Sequence, residues 1–189
     1  MPIFYRGAGP GSYWDINDAR QIGFRAQAPQ LVATMERLMN HIAQTTVTSP
    51  FVSLTRSYAI AHGYAMAGPG GIAVQDQPGY VYEIEIADPL PLGLSLLDPI
   101  RELAAVLPGP LDRVSYQHDG GAKVLLGMVL PKEYQHMLVS TYPQPGGMSG
   151  APVRVTQELV TLVRALRDAE ILAVGNIPAS CVLARTPIY

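Results

Sequence analysis

Three short stretches of the chain end in side chains that could act together. Arg6 closes Phe4-Tyr5-Arg6-Gly7, Ser53 and Thr55 lie in Ser49-Pro50-Phe51-Val52-Ser53-Leu54-Thr55, and two carboxylates fill Asp168-Ala169-Glu170. A planar guanidinium makes paired hydrogen bonds to anionic oxygens that lysine cannot match. Two carboxylates two residues apart on an extended segment project to the same side, where one can stabilise a developing cation and the other orient a nucleophile. Each group stands at the end of a short apolar, strand-like run, so side chains from distant parts of the chain can converge on one cleft.

The elements that must carry these groups follow from periodicity and turn chemistry. Ile3 to Tyr5 reads as a short strand, which leaves Arg6 at its end and the run from Gly7 to Ser12 as a loop. Trp14 to Phe24 reads as a helical turn closed by Gly23. From Pro29 to Gln44, Leu31, Met35, Leu38 and Ile42 recur at helical spacing and predict a helix with one apolar face. Phe51 to Leu54 is a second strand, opened by Pro50. Thr55 and Ser57 offer cap chemistry to a helix reaching about Met66, where Gly68-Pro69-Gly70-Gly71 stops it. Ile72 to Val74 and Tyr80 to Ile86 bracket a turn and read as two strands. In the second, Tyr80, Tyr82, Ile84 and Ile86 predict a buried face, with Glu83 and Glu85 on the other.

Further along, Pro99 to Val106 predicts a short helix, and Val114 to Gln117 with Lys123 to Leu130 a hairpin around His118-Asp119-Gly120-Gly121. Tyr142 to Pro152, rich in glycine and proline, reads as a loop. Thr156 caps a helix with a stripe of Leu159, Leu162, Val163 and Leu166, followed by apolar runs Ile171 to Val174 and Cys181 to Leu183. No repeat or linker interrupts residues 1–189, so one domain is expected. Short mixed strands and helices without a β-α-β rhythm predict an α+β domain of antiparallel sheets with flanking helices around a central cleft, not a Rossmann unit.

Composition narrows the classes. At 48% hydrophobic and 15% charged, the 189 residues suit a packed core rather than disorder. A net charge of −2 argues against bulk nucleic-acid binding. Cys181, the lone cysteine, reads as a small core residue. The first residues lack signal-peptide features and no apolar stretch is long enough to span a bilayer. The expectation is a soluble protein without membrane partners, cytoplasmic or exported as an effector by a route that needs no such signal. His41, His62, His118 and His136 are scattered without a second ligand at metal spacing, so no metal is expected.

With these motifs in order, the chain resembles the ADP-ribosyltransferases defined by an arginine, a serine-containing strand and a glutamate, a group that includes many bacterial toxins. The resemblance rests on Phe4-Tyr5-Arg6-Gly7, on Ser49 to Thr55, on the following helix through Ala61, Tyr64 and Ala65, on Gly79 to Ile84, and on Asp168 to Ile171 with Ile177-Pro178. It implies NAD⁺ as substrate, with Arg6, Gly7, Ser53 and Thr55 on the binding side. Glu170 and Asp168 become the catalytic pair, and the acceptor is a protein or small molecule. On this reading Arg6 binds the pyrophosphate and Ser53 steadies Glu170 or the ribose. Glu170 stabilises an oxocarbenium-like transition state. The chain departs from the family where Ser53, Leu54 and Thr55 replace Ser-Thr-Ser, and where Asp168 replaces Glu or Gln. A helical stripe also runs up to Asp168 in place of an acceptor loop.

Bland readings stand beside these. Arg6 suits an exposed terminal arginine, Ser53 a strand hydroxyl, and Asp168 and Glu170 solvated acids at a junction. The pair Glu83 and Glu85 has the same spacing but reads as a surface pair. Tyr5, Tyr13 and Trp14 fit either ring stacking on a base or core packing. The alternatives to transfer are an NAD⁺ glycohydrolase of the same fold and a non-catalytic interaction module that retains it.

Overall fold

A computed structural model describes residues 2–43, 47–104, 124–125, 128–129 and 157–189. Its centre is a six-stranded antiparallel sheet, so the mixed α+β class expected from sequence holds. In chain order the elements begin with strand β1 (Ile3–Ala8), helices α1 (Tyr13–Ile16), α2 (Ala19–Ile22) and α3 (Met35–Ala43), strand β2 (Phe51–Thr55) and helix α4 (Tyr58–Ala65). A small hairpin β3 (Ala67–Gly68) and β4 (Gly71–Ile72) leads to β5 (Gly79–Glu85), β6 (Ser95–Leu97) and helix α5 (Pro99–Ala104). After the pair β7 (Val124–Leu125) and β8 (Met128–Val129) come helix α6 (Gln157–Arg167), strand β9 (Glu170–Val174) and strand β10 (Val182–Ile188).

The sheet order is β10-β5-β1-β2-β9-β6. β1 lies against β5 over six residue pairs and β2 against β9 over five, but β1 and β2 meet at the one pair Tyr5 and Thr55. Two three-stranded halves therefore join at a single pair, at the end of β2, and part along the rest of that strand. That parting makes the cleft.

Three apolar clusters hold the halves. Phe4, Phe24, Leu54, Tyr82, Ile84 and Ile171 fill one face of the sheet. Leu38, Phe51, Leu103, Leu162 and Leu172 pack α3, α5 and α6 against the other face of β2 and β9. Helix α4 sits on β1 and β5 through Ala61, Ala65 and Val81. Its approach is close: a Cβ on Gly7 would stand 2.1 Å from the Ala61 carbonyl oxygen, and one on Gly79 1.8 Å from that of Ala65. Glycine is required there by the space, not by dihedral freedom.

Several expected boundaries move. β1 runs to Ala8, so Arg6 is inside a strand and not at its end; pairing with Tyr80 and Val81 of β5 extends it through Gly7 and Ala8. The predicted helix from Pro29 starts only at Met35, because the Thr34 hydroxyl accepts from the Arg37 N–H and caps it there. Ile72 to Val74 does not pair with Tyr80 to Ile86; β5 spends its edges on β1 and β10. The face of β5 carrying Glu83 and Glu85 is not fully open, since α4 covers Val81 and the two glutamates are half-buried. Within the predicted strand Lys123 to Leu130, β7 and β8 pair with each other. The last run extends from Val182 to Ile188, and Cys181, half-buried, closes the short 3₁₀ turn before it. The rest of the expected hairpin, the loop Tyr142 to Pro152, the cap Thr156, Val106, His118 and His136 lie outside the described residues. No helix among the described residues is long and apolar enough to cross a membrane.

Candidate functional site

Alternation along β2 turns Val52 and Leu54 into the core and sends Phe51, Ser53 and Thr55 to the opposite face. Thr55 lies directly across from Glu170 in the antiparallel ladder, which puts Ser53, Thr55 and Glu170 on one face as cross-strand neighbours. Where β1 turns away from β2, the Ser53 carbonyl loses its ladder partner. The Arg6 guanidinium replaces it, donating from Nη1 to that oxygen at 2.5 Å. A cavity of about 230 Å³ opens in the parting, lined by Tyr5, Arg6, Gly7, Ser53, Leu54 and Thr55 together with Ile60, Tyr64, Asp168 and Glu170. Arg6 and Glu170 thus face one space, although 164 positions separate them.

Burial dominates the electrostatics. Desolvation pushes the Glu170 carboxyl up to about 7; hydrogen bonding from Ser53 opposes this, the Asp168 charge adds to it, and Arg6 and Arg167 oppose it. Desolvation also brings Arg6 down to about 10 despite the nearby Glu170. Its Nε is buried without a partner, an arrangement that leaves a donor's desolvation uncompensated.

Behind Ser53 stands His41, which in the sequence is only one of four scattered histidines. His41 places Nε2 2.6 Å from Ser53 Oγ and Nδ1 2.6 Å from Ser49 Oγ. Its Nε2 is 4.0 Å from Glu170 Oε1. That spacing would suit an ion pair, but burial, aided by Arg6, lowers His41 to about 4, so at neutral pH the imidazole is uncharged. The missed signal is its position: three residues after Leu38 and beside Ile42, His41 belongs to the apolar face of α3 that meets the serine strand.

Asp168 departs from expectation. It does not extend the strand of Glu170 but sits in the turn after α6, where Ala169 adopts a left-handed φ of 46°. Such a conformation costs a non-glycine residue about 1–2 kcal/mol, and it breaks the alternation that would have set the two carboxylates side by side. The Asp168 carboxylate accepts from Tyr64 Oη at 2.7 Å and from Arg167 Nε and Nη2 at 2.7 and 2.8 Å. The Thr55 hydroxyl donates to the Asp168 carbonyl and accepts from the Ser57 N–H, tying β2 to both the turn and α4. Gly7 lines the cavity as the seat of α4. Of the aromatic candidates, Tyr5 lines the cavity, Trp14 packs on Phe24 with ring centroids 4.7 Å apart, and Tyr13 is exposed. Tyr64, which also lines the cavity, and Arg167 meet at the Asp168 carboxylate, a contact that no spacing in the sequence announces.

No protein-family model matches the chain, and no curated protein matches its sequence.

Proposed function

We propose that the protein cleaves the bond between nicotinamide and ribose in NAD⁺ and transfers the ADP-ribosyl group to an acceptor. The observation that carries this reading is the convergence of Arg6, Ser53 and Glu170 on one cavity. As the C–N bond breaks, its electron pair leaves with neutral nicotinamide and positive charge builds on the sugar. An ionised Glu170 in a desolvated site stabilises that charge more strongly than a carboxylate in water. The acceptor oxygen or nitrogen then attacks the sugar carbon, and its proton is released to water. Arg6, with an unpartnered Nε, suits the pyrophosphate.

The cavity is smaller than the roughly 300–1,000 Å³ of most ligand pockets. It would take the ribose and leaving base, with the rest of the dinucleotide along the open cleft.

One observation favours hydrolysis over transfer: both Asp168 oxygens are held by Arg167 and Tyr64, which leaves fewer free positions to orient a large acceptor. Incubation with NAD⁺, following nicotinamide release and the fate of labelled ADP-ribose, separates the two. Glu170→Gln should slow release at least about 100-fold; an equal rate removes Glu170 from the chemistry. Failure of NAD⁺ to bind in calorimetry leaves only a non-catalytic interaction module.

A further inference from the structure

We propose that His41 is a positioning residue for Glu170, acting through Ser53, and that Ser49 sets the imidazole tautomer this requires. The proposal rests on reading Glu170 as the carboxylate at the reacting centre. Four contacts make a continuous chain. The Phe51 N–H donates to Ser49 Oγ at 3.1 Å, Ser49 Oγ meets His41 Nδ1 at 2.6 Å, His41 Nε2 meets Ser53 Oγ at 2.6 Å, and Ser53 bonds to Glu170.

Each hydroxyl has one proton, and a neutral imidazole has one donor and one acceptor nitrogen. When Glu170 is ionised it can only accept, so the Ser53 proton points to it. Ser53 Oγ must then accept from Nε2–H, which leaves Nδ1 bare to accept from the Ser49 hydroxyl. The Ser49 oxygen in turn accepts from the Phe51 N–H. Every proton in this direction has an acceptor, and bonds aligned head to tail strengthen one another. The reverse direction needs a protonated Glu170 and makes Ser49 the acceptor of both its bonds. The reverse direction thus leaves the Ser49 proton without an acceptor in the chain, so the chain favours the ionised carboxylate and holds its orientation at the cavity wall.

Other charges act on the same groups, with Arg6 and Arg167 favouring the ionised carboxylate and Asp168 opposing it, but none of them sets the imidazole tautomer. His41 is faced by Arg6 from β1 and by Glu170 from β9, with Glu36 and Arg37 on its own helix; Arg164 of α6 is spent on the Ala43 carbonyl at 2.6 Å. Glu170 is faced by Arg6, Asp168 and Arg167, and Tyr64 stands across the cavity. Arg167 is engaged with Asp168, and Arg56 with Asp98. A histidine that merely filled space against Phe51, whose ring centroid is 5.5 Å away, would need no particular tautomer.

The test uses the whole chain and three readouts. In the wild type at pH 8, nitrogen NMR of the His41 ring should show the proton on Nε2 and Nδ1 as acceptor; a proton on Nδ1, or a charged ring, overturns the proposal without any variant. In His41→Phe and Ser53→Ala, the midpoint of the Glu170 side-chain carbon titration should rise by about one pH unit, a tenfold change. An unmoved midpoint in a folded variant also overturns it. With NAD⁺, the acid limb of kcat for nicotinamide release by His41→Phe should shift with that midpoint while its KM stays within about threefold, whereas a fall in kcat with an unmoved limb marks His41 as structural only. Were no nicotinamide released by any form while tautomer and midpoint behaved as stated, the relay would stand and the transferase reading would fall.

Discussion

Replacing Glu170 by glutamine keeps the shape of the side chain but removes its titration, and the structure sets how large the effect on stability should be. Burial raises the carboxyl from its ordinary 4.5 to about 7. A carboxyl whose folded value lies above its unfolded value holds more protons in the native state. Its contribution is therefore complete below pH 4.5 and is lost as pH rises through about 7. With each pK unit worth about 1.4 kcal/mol, the wild type should forfeit about 3 kcal/mol between roughly pH 4 and pH 8 that Glu170→Gln keeps. Because Glu170 is buried, solvent screening reduces this little. His41 titrates in the opposite sense: lowered from 6.5 to about 4, it contributes fully above pH 6.5 and loses that contribution as pH falls through about 4. It is common to both proteins and so leaves their difference largely unchanged. Urea unfolding at a series of pH values reads the effect, and a slope of about 1–3 kcal/mol/M turns it into a midpoint gap that widens by about 1 M or more. A gap that stays constant across this range refutes a desolvated carboxylate at this position.

Two further substitutions probe other parts of the site. Arg6→Lys removes the planar fork that holds the Ser53 carbonyl and should weaken NAD⁺ binding by calorimetry at least about tenfold, whereas unchanged affinity would remove Arg6 from the phosphate role. Gly7→Ala would drive a Cβ to 2.1 Å from the Ala61 carbonyl and should destabilise the fold by about 3 kcal/mol; a melting temperature within a degree of wild type would show that α4 can lift off β1 freely.

Much of the fold was legible because strand and helix periodicity are local properties. Phe51 to Leu54, Ser57 as the cap of α4, and the apolar run after Glu170 appear where alternation and cap chemistry put them. What could not be read locally was pairing. β1 is longer than its apolar run because β5 supplies hydrogen bonds through Gly7 and Ala8. Ile72 to Val74 offered a plausible partner for β5, yet the strand took β10 from the far end of the chain instead. The site shows the same division. Arg6, Ser53, Asp168 and Glu170 are visible as residue types and line one cavity, but Asp168 reaches it from a turn rather than along a strand, because the left-handed Ala169 cannot be foreseen from an Asp-Ala-Glu sequence. His41 was invisible as a partner, since only tertiary packing of α3 on β2 turns a helix-face histidine toward two serines.

The join between the two halves of the sheet explains why the site stands where it does. A continuous ladder between β1 and β2 would satisfy the Ser53 carbonyl from the backbone and leave no space beside Glu170. Because pairing stops at Tyr5 and Thr55, that carbonyl needs a donor, and an arginine drawn in to supply it brings a guanidinium within reach of a buried carboxylate. The opening thus creates the cavity and also selects the charges that line it. The same break accounts for the Thr55 hydroxyl, which holds the Asp168 carbonyl and the start of α4 at the one point where the halves touch. Fold and site are therefore one feature: closing the sheet at this point would remove the polar groups' reason to converge as well as the room for a ligand.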